Sequence, residues 1–299
     1  MSLLIQKIND NYSLKGTSFP VEQPKAYLVA ITGMDEHSER YEYFATKLNE
    51  KGINVDFFDH FGQGQNANSV EEQQIWPSNA WNNTMLALKL KIDEYKKTGL
   101  PVYLMGHSMG SILVQNFILK YPHAVDKVVN MGGVGPRPST YKFAHFICNL
   151  FYTKKKDKKE SKFMTKLLLG SNNKKIKNPK TEFDWLSHNQ ENVQNYINDP
   201  YCGHYNTWGF YKEFTYGLSQ INKKANLKRL SPDENILIVA GEDDPVGCYS
   251  KGPLALAKMY QKYGVKKVKC IIYPNMRHEI LNEIDKDTVI RDILDFLTL

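Results

Sequence analysis

The stretch PVYLMGHSMGSILVQNFILKY (residues 101–121) decides the fold. Its first five residues form an apolar run of strand length, and residues 110–121 carry apolar positions suited to a buried helix. Between them lies Gly106-His107-Ser108-Met109-Gly110, the pattern G-x-S-x-G. A strand that passes straight into a helix through such a turn presents its serine on a sharp bend. Gly106 and Gly110 remove side chains two residues either side of the serine, where neighbouring backbones approach closely. The helix N-terminus beneath Ser108 favours negative charge developing beside it. An incidental serine in a tight turn is the alternative, and the flanking strand and helix argue against it.

Working outward, AYLVAI (26–31), INVDFF (53–58), KVVNM (127–131), ILIVA (236–240) and VKCIIY (268–273) are further runs of strand length. Helical patterns cover residues 40–51, 80–97, 252–263 and 288–297. Apolar runs bounded by turns and alternating with helices predict an α/β fold, a mostly parallel sheet with helices on both faces. Residues 136–205 break this rhythm and are read as an inserted cap (lid) over a core made of residues 1–135 and 206–299.

Composition bounds the rest. In 299 residues, 41% are hydrophobic and 24% charged, which suits a soluble globular protein with a sizeable core. Cys148, Cys202, Cys248 and Cys270 form no C-x-x-C pair, so neither a disulfide framework nor a zinc or redox motif is signalled. The apolar run near Met1 is too short for a signal peptide, and no stretch approaches a membrane-spanning length. A cytoplasmic location is expected, with reduced thiols, no metal and no cofactor. The sequence says nothing of oligomeric state.

Ser108 is a weak nucleophile unless an oriented base takes its proton. In a fold with this elbow the chain order is serine, acid, histidine. Of the histidines after Ser108, His145, His188 and His204 fall in or at the edge of the cap, and His123 is too near in sequence to return to the elbow. His278 lies five residues beyond the last predicted strand, at the carboxyl edge of the sheet where such sites gather. The acid should leave the preceding strand, which runs into Gly241-Glu242-Asp243-Asp244-Pro245. Asp244 is favoured because Pro245 biases it to an extended backbone; Asp243 is the rival. Acyl transfer also needs N–H donors for an oxyanion. Those of Met109, after the nucleophile, and Met34, in the loop after AYLVAI, are the expected pair.

Five segments carry a resemblance: TGMDEHSERY (32–41), DHFGQGQN (59–66), GHSMGS (106–111), GEDD (241–244) and HE (278–279). Together they resemble the monoglyceride lipase and lysophospholipase group of α/β-hydrolases. That group has H-G-x-G-E-H-x-x-R-Y, D-H-x-G-H-G-x-S, G-H-S-M-G-[GS], G-x-x-D and a late H-E in the same order. Thr32, Asp35, Gln63 and Asn66 depart from the pattern, and Asp35 stands where the oxyanion loop has glycine. Glu36, His37, Arg40 and Tyr41 are read as bracing that loop, and Asp59 and His60 the neighbouring one.

The resemblance implies a serine ester hydrolase acting on a lipid-like ester, a monoacylglycerol or lysophospholipid. A short-chain carboxylesterase, a thioesterase or a small serine peptidase would use the same three side chains. A non-catalytic binding module docking an anionic surface is the reading from another class. Phe146, Leu150 and Phe151 in the cap are candidate substrate contacts. Residues 141–180 hold twelve lysines against Asp157 and Glu160, a formal +10, while the whole chain is +7, so the remainder sums to −3. Charge confined to a cap beside apolar residues suits peripheral contact with anionic membrane, the alternative being a solvated lysine surface above an ordinary apolar substrate channel. No nucleic-acid-binding motif accompanies it.

Overall fold

All six apolar runs are strands in the computed structural model, which describes the whole chain, Met1–Leu299. The strands are β1 (Ser2–Lys7), β2 (Ser13–Phe19), β3 (Ala26–Ile31), β4 (Ile53–Phe58), β5 (Val102–His107), β6 (Lys127–Met131), β7 (Asn235–Gly241) and β8 (Lys267–Tyr273). They form one sheet in the order β1-β2-β4-β3-β5-β6-β7-β8. From β4 to β8 every pairing is parallel, and β5 sits centrally, with Leu104 opposite Val29 on one side and Val128 on the other. The order reverses between β3 and β5, so the elbow stands at the switch point where a crevice opens at the strands' carboxyl ends.

The hairpin of β1 and β2 adds two antiparallel strands that the sequence pattern did not announce. Its first strand is an edge that leaves Leu3 and Ile5 exposed, and its second, SLKGTSF, buries Gly16 and Thr17 among polar letters. Neither shows a clean apolar alternation. At the far edge, β8 carries Lys267 and Lys269 outward, which blunts edge-to-edge pairing.

The helices are α1 (Glu42–Asn49), α2 (Ala80–Lys96), α3 (Met109–Lys120), α4 (Pro138–Phe151), α5 (Lys162–Leu169), α6 (Gln190–Asn198), α7 (Trp208–Gln220), α8 (Lys224–Leu227), α9 (Lys251–Lys262) and α10 (Lys286–Thr298). Alternate strand residues feed two cores. Val29, Ile31 and Leu104 face α2, α3, α7 and α9, whereas Leu28, Ala30 and Met105 face α1 and α10. α1 is shorter than the expected 40–51 helix, because Ser38–Tyr41 forms a 3-10 turn that brings Arg40 and Tyr41 back under the β3 loop.

Residues 136–205 contribute no strand to the sheet. Their first part is anchored in the larger core through Tyr141, Cys148 and Met164, with α4 lying along α7. Their second part has a small core of its own, Leu186, Tyr196 and Cys202, with Phe183 and Trp185 packed on it. No helix is long and apolar enough to cross a membrane.

Candidate active site

Ser108 has φ 52° and ψ −115°, a conformation an L-residue holds only when its surroundings enforce it. The two flanking glycines make it attainable. A Cβ on Gly106 would sit 2.3 Å from the Gly110 carbonyl oxygen, and one on Gly110 2.5 Å from those of Ile31 and Thr32. The Ser108 N–H donates to Met131 O at 2.9 Å, so β6 holds the bend.

His278 Nε2 lies 2.8 Å from Ser108 Oγ, and His278 Nδ1 lies 3.0 Å from both oxygens of Asp244. Asp244 and His278 are buried, and Ser108 is half-buried at the crevice. Asp244 Oδ1 also accepts the Val246 N–H at 2.9 Å, which fixes the carboxylate plane. The rival Asp243 is exposed and pairs instead with His188 at 2.9 Å; Glu242 is exposed too. Gly132, at φ 60°, leaves room beside the imidazole, since a Cβ there would stand 3.4 Å from His278 Cε1.

The β3 loop closes against this group. A Cβ on Gly33 would be 3.1 Å from Ser108 Cβ, which places the Met34 end of the loop beside the serine. The Met34 N–H donates to no protein acceptor, and Met109 opens α3, where the first N–H groups lack helical partners. A serine within reach of an imidazole, an acid on the far ring nitrogen and free N–H groups nearby is an arrangement suited to acyl transfer.

Residues 22–285 match the family described as serine aminopeptidase, S33. The chain belongs to this family of α/β-hydrolases. A carboxyl esterase from Bacillus coagulans superposes on this S33-family chain with TM-score 0.86 and 25% identity, covering 99% of this chain and 98% of that one. Rat monoglyceride lipase is 24% identical over 281 residues, 89% of this chain and 83% of the rat protein. An uncharacterized abhydrolase domain-containing protein of Dictyostelium discoideum is 23% identical over 304 residues, 99% of this chain. The S33-family chain spans only 29% of the length of that Dictyostelium relative.

Behind the β3 loop lies a buried ionic cluster. Glu36 Oε1 accepts the Gly33 N–H at 2.5 Å, the Tyr41 hydroxyl at 2.8 Å and His107 Nδ1 at 2.8 Å. Arg40 bridges Glu36 at 3.0 Å and both oxygens of Glu279 at 2.8 Å. Burial alone would raise the Glu36 carboxyl, but His107, Arg40 and Tyr41 outweigh it and hold it well below its ordinary range. Burial likewise opposes a proton on His107, and Glu36 overcomes it, raising the imidazole. The cluster therefore ties together the loop, the residue before Ser108 and the residue after His278. Of the four residues expected to brace this loop, His37 alone lies outside the cluster; it pairs with Asp199 at 2.8 Å.

The departures from the resembled pattern are absorbed locally. Gln63 Nε2 donates to the carbonyls of Gly33 and Glu36, at 3.0 and 3.2 Å, and so holds the β3 loop. His60 Nε2 meets Thr32 O at 3.0 Å, and Asp59 takes the N–H groups of Ser38 and Gln65. Asn66 ties Lys15 of β2 to Asp59.

Asp35 sits at φ 61°, buried, with Oδ2 accepting from Asn206 Nδ2 at 3.0 Å and Oδ1 without a partner. Burial pushes its carboxyl from 3.8 up to about 8, with the Asn206 hydrogen bond opposing and Glu36 adding to the rise. The folded chain thus holds a proton that the unfolded chain releases near pH 3.8, so this group erodes stability as pH climbs towards about 8. Asparagine tolerates the same backbone and needs no proton. Asp35→Asn is expected to raise Tm by a few degrees at pH 8 and by progressively less towards pH 5. Thermal melts across that range check it, and a gain that does not change with pH would contradict it.

His37, Asp199 and Cys202 bring donor atoms within 4.8 Å of one another and are the only grouping that could hold a metal ion. Burial raises the Cys202 thiol, keeping it protonated, and the Arg40 cation stands beside it, so the set is a poor cation site. Phe146, Leu150 and Phe151 lie on α4 with 46–62% of their surface exposed. From the segment 136–205, Trp185 packs on His278, with ring centroids 5.0 Å apart.

Proposed function

We propose that this chain is a serine ester hydrolase cleaving the acyl ester of a single-chain lipid, a monoacylglycerol or a lysophospholipid. The observation that carries the reading is the contact of Ser108 Oγ with His278 Nε2 on a strained elbow, with Asp244 holding the other ring nitrogen. His278 takes the Ser108 proton as Oγ attacks the ester carbon, and the Met34 and Met109 N–H groups receive the oxyanion. His278 then protonates the departing alcohol. Water, deprotonated by His278, releases the acid and restores Ser108. No step calls for a metal or cofactor.

The names of relatives support an ester over a peptide. The rat relative is a monoglyceride lipase and the Bacillus neighbour a carboxyl esterase, although the family is described as an aminopeptidase. The test is a hydrolysis screen over monoacylglycerols, lysophospholipids, p-nitrophenyl esters of graded chain length, an acyl thioester and aminoacyl amides, with fluorophosphonate labelling of Ser108. Preference for a long single-chain ester supports the reading. Faster turnover of short esters, thioesters or amides would move the substrate class, and absence of both label and turnover would favour a non-catalytic binding module.

Residues 136–205 serve, in this reading, as a cap that meets anionic membrane. Phe143, Phe146 and Leu150 lie along one exposed strip of α4, with Phe151 set edge-on to exposed Phe163 at a centroid distance of 5.6 Å. Lys142, Lys154, Lys155, Lys158, Lys162 and Lys166 are exposed in the same stretch of chain. Apolar side chains entering the acyl boundary, with lysines adding roughly 1 kcal/mol each or less at the charged surface, give reversible docking. Sedimentation with vesicles should increase with anionic lipid and fall with salt. Binding that ignores both, or that survives changing Lys154, Lys155 and Lys158 to Glu, would remove the electrostatic part.

A further inference from the structure

The loop bearing His278 is stapled to one short segment of the cap. Arg277 Nη1 donates to Asp184 O at 2.7 Å and to Ser187 O at 3.1 Å. The Glu279 N–H donates to Leu186 O at 2.7 Å. Buried Glu283 accepts the Arg277 N–H at 2.8 Å, the His188 N–H at 3.0 Å and the Ser187 hydroxyl at 2.8 Å. The residues on either side of His278 therefore grip the residues on either side of Trp185. Asn173 Oδ1 accepts the Trp185 backbone N–H at 3.0 Å. The result is an indole held 5.0 Å from the imidazole of His278, with the ring planes 43° apart.

Which part of a substrate would meet that indole follows from the tetrahedral carbon. Its four substituents are Ser108 Oγ, the oxyanion, the acyl chain and the departing oxygen. The oxyanion must point at the Met34 and Met109 N–H groups. The departing oxygen must point at His278 Nε2, because His278 gives it a proton. Whatever stands over the imidazole from the cap side thus borders the alcohol half of the ester. In the second half-reaction the attacking water, or an alcohol in its place, occupies the same spot.

We infer that Trp185 forms the wall of the leaving-group subsite and selects the alcohol, not the acyl chain, favouring uncharged alcohols that offer a C–H-rich or aromatic face to the indole. The inference rests on the Ser108–His278 reading above. With such an alcohol as acceptor the step balances simply. Its hydroxyl proton passes to His278, its oxygen bonds the acyl carbon, and the Ser108 Oγ–carbon bond breaks as Oγ takes that proton back.

Each of these hydrogen bonds that reaches the cap uses the backbone of residues 184–188 or the Ser187 hydroxyl, so Trp185→Ala leaves them in place. The experiment forms one acyl-enzyme from p-nitrophenyl butyrate and lets water compete with methanol, glycerol or benzyl alcohol. The ratio of new ester to free acid is then measured for wild type, Trp185→Ala and Trp185→Phe. Trp185→Ala should lower transfer to benzyl alcohol or glycerol, relative to methanol, about fivefold or more, with Trp185→Phe restoring much of it for benzyl alcohol. The butyrate-to-octanoate ratio in kcat/KM should move by less than about twofold. An unchanged acceptor ratio, or an equal change in acyl preference, overturns the inference while wild-type turnover leaves the hydrolase reading standing. A wild-type chain without Ser108-dependent turnover overturns both.

Discussion

Replacing Ser108 with alanine is expected to lower ester turnover roughly 10⁴- to 10⁶-fold, while the melting temperature stays close to that of the parent chain. The size of the loss follows from what Oγ does in the proposed mechanism. Without it there is no covalent intermediate, and His278 can at best activate water directly. The residual rate would come from the Met34 and Met109 N–H groups and from binding. The fold should not notice. The elbow is imposed by Gly106, Gly110 and the Ser108 N–H bond to Met131, none of which needs the hydroxyl, whose one partner in the chain is His278. Measurement of kcat beside a thermal melt checks this, together with loss of fluorophosphonate labelling. Turnover above about a tenth of the parent value, which is a barrier change under 1.4 kcal/mol, would sink the covalent mechanism.

The elbow was legible because everything it needs is contiguous: an apolar run, two spaced glycines, the serine and an amphipathic continuation. His278 and Asp244 were legible through chain order and strand ends, since the sheet brings the carboxyl ends of β5, β7 and β8 together. The hairpin of β1 and β2 was not legible. Its side chains alternate weakly, because one strand is an exposed edge and the other buries Gly16 and Thr17 where an apolar letter would be expected. Nor could pairwise contacts across the fold be read from letters. Asp35 finds Asn206, Glu36 finds His107 and Trp185 finds His278 only because loops from separate strands and the cap converge. In the aromatic run of α4, the sequence indicated apolar side chains but not their direction. Tyr141 and Cys148 turn inward to the core, whereas Phe146 and Leu150 turn to the surface.

The same convergence separates two adjacent acids that the sequence leaves nearly equivalent, and Asp244→Asn against Asp243→Asn is the sharper test of the site. Asp244→Asn is expected to lower kcat on the order of 10⁴-fold, and Asp243→Asn by less than about fivefold. In the parent chain both Asp244 oxygens lie 3.0 Å from His278 Nδ1, and Oδ1 also accepts the Val246 N–H. An asparagine must keep its oxygen towards Val246, because an amide nitrogen there would face a donor. Its NH₂ then stands at the Oδ2 position and donates to Nδ1. That bond competes with donation from Nδ1 to the amide oxygen and favours the imidazole tautomer with the proton on Nε2, the atom that has to accept the proton of Ser108. The lost negative charge also leaves the imidazolium of the transition state without its partner. Asp243 is exposed, and its carboxylate meets His188 at 2.9 Å, not His278. Its amide would weaken a surface contact worth ~1 kcal/mol or less. The comparison is made on folded variants at neutral pH, where equal losses, or a larger loss at Asp243, would show that the base is oriented from the other carboxylate.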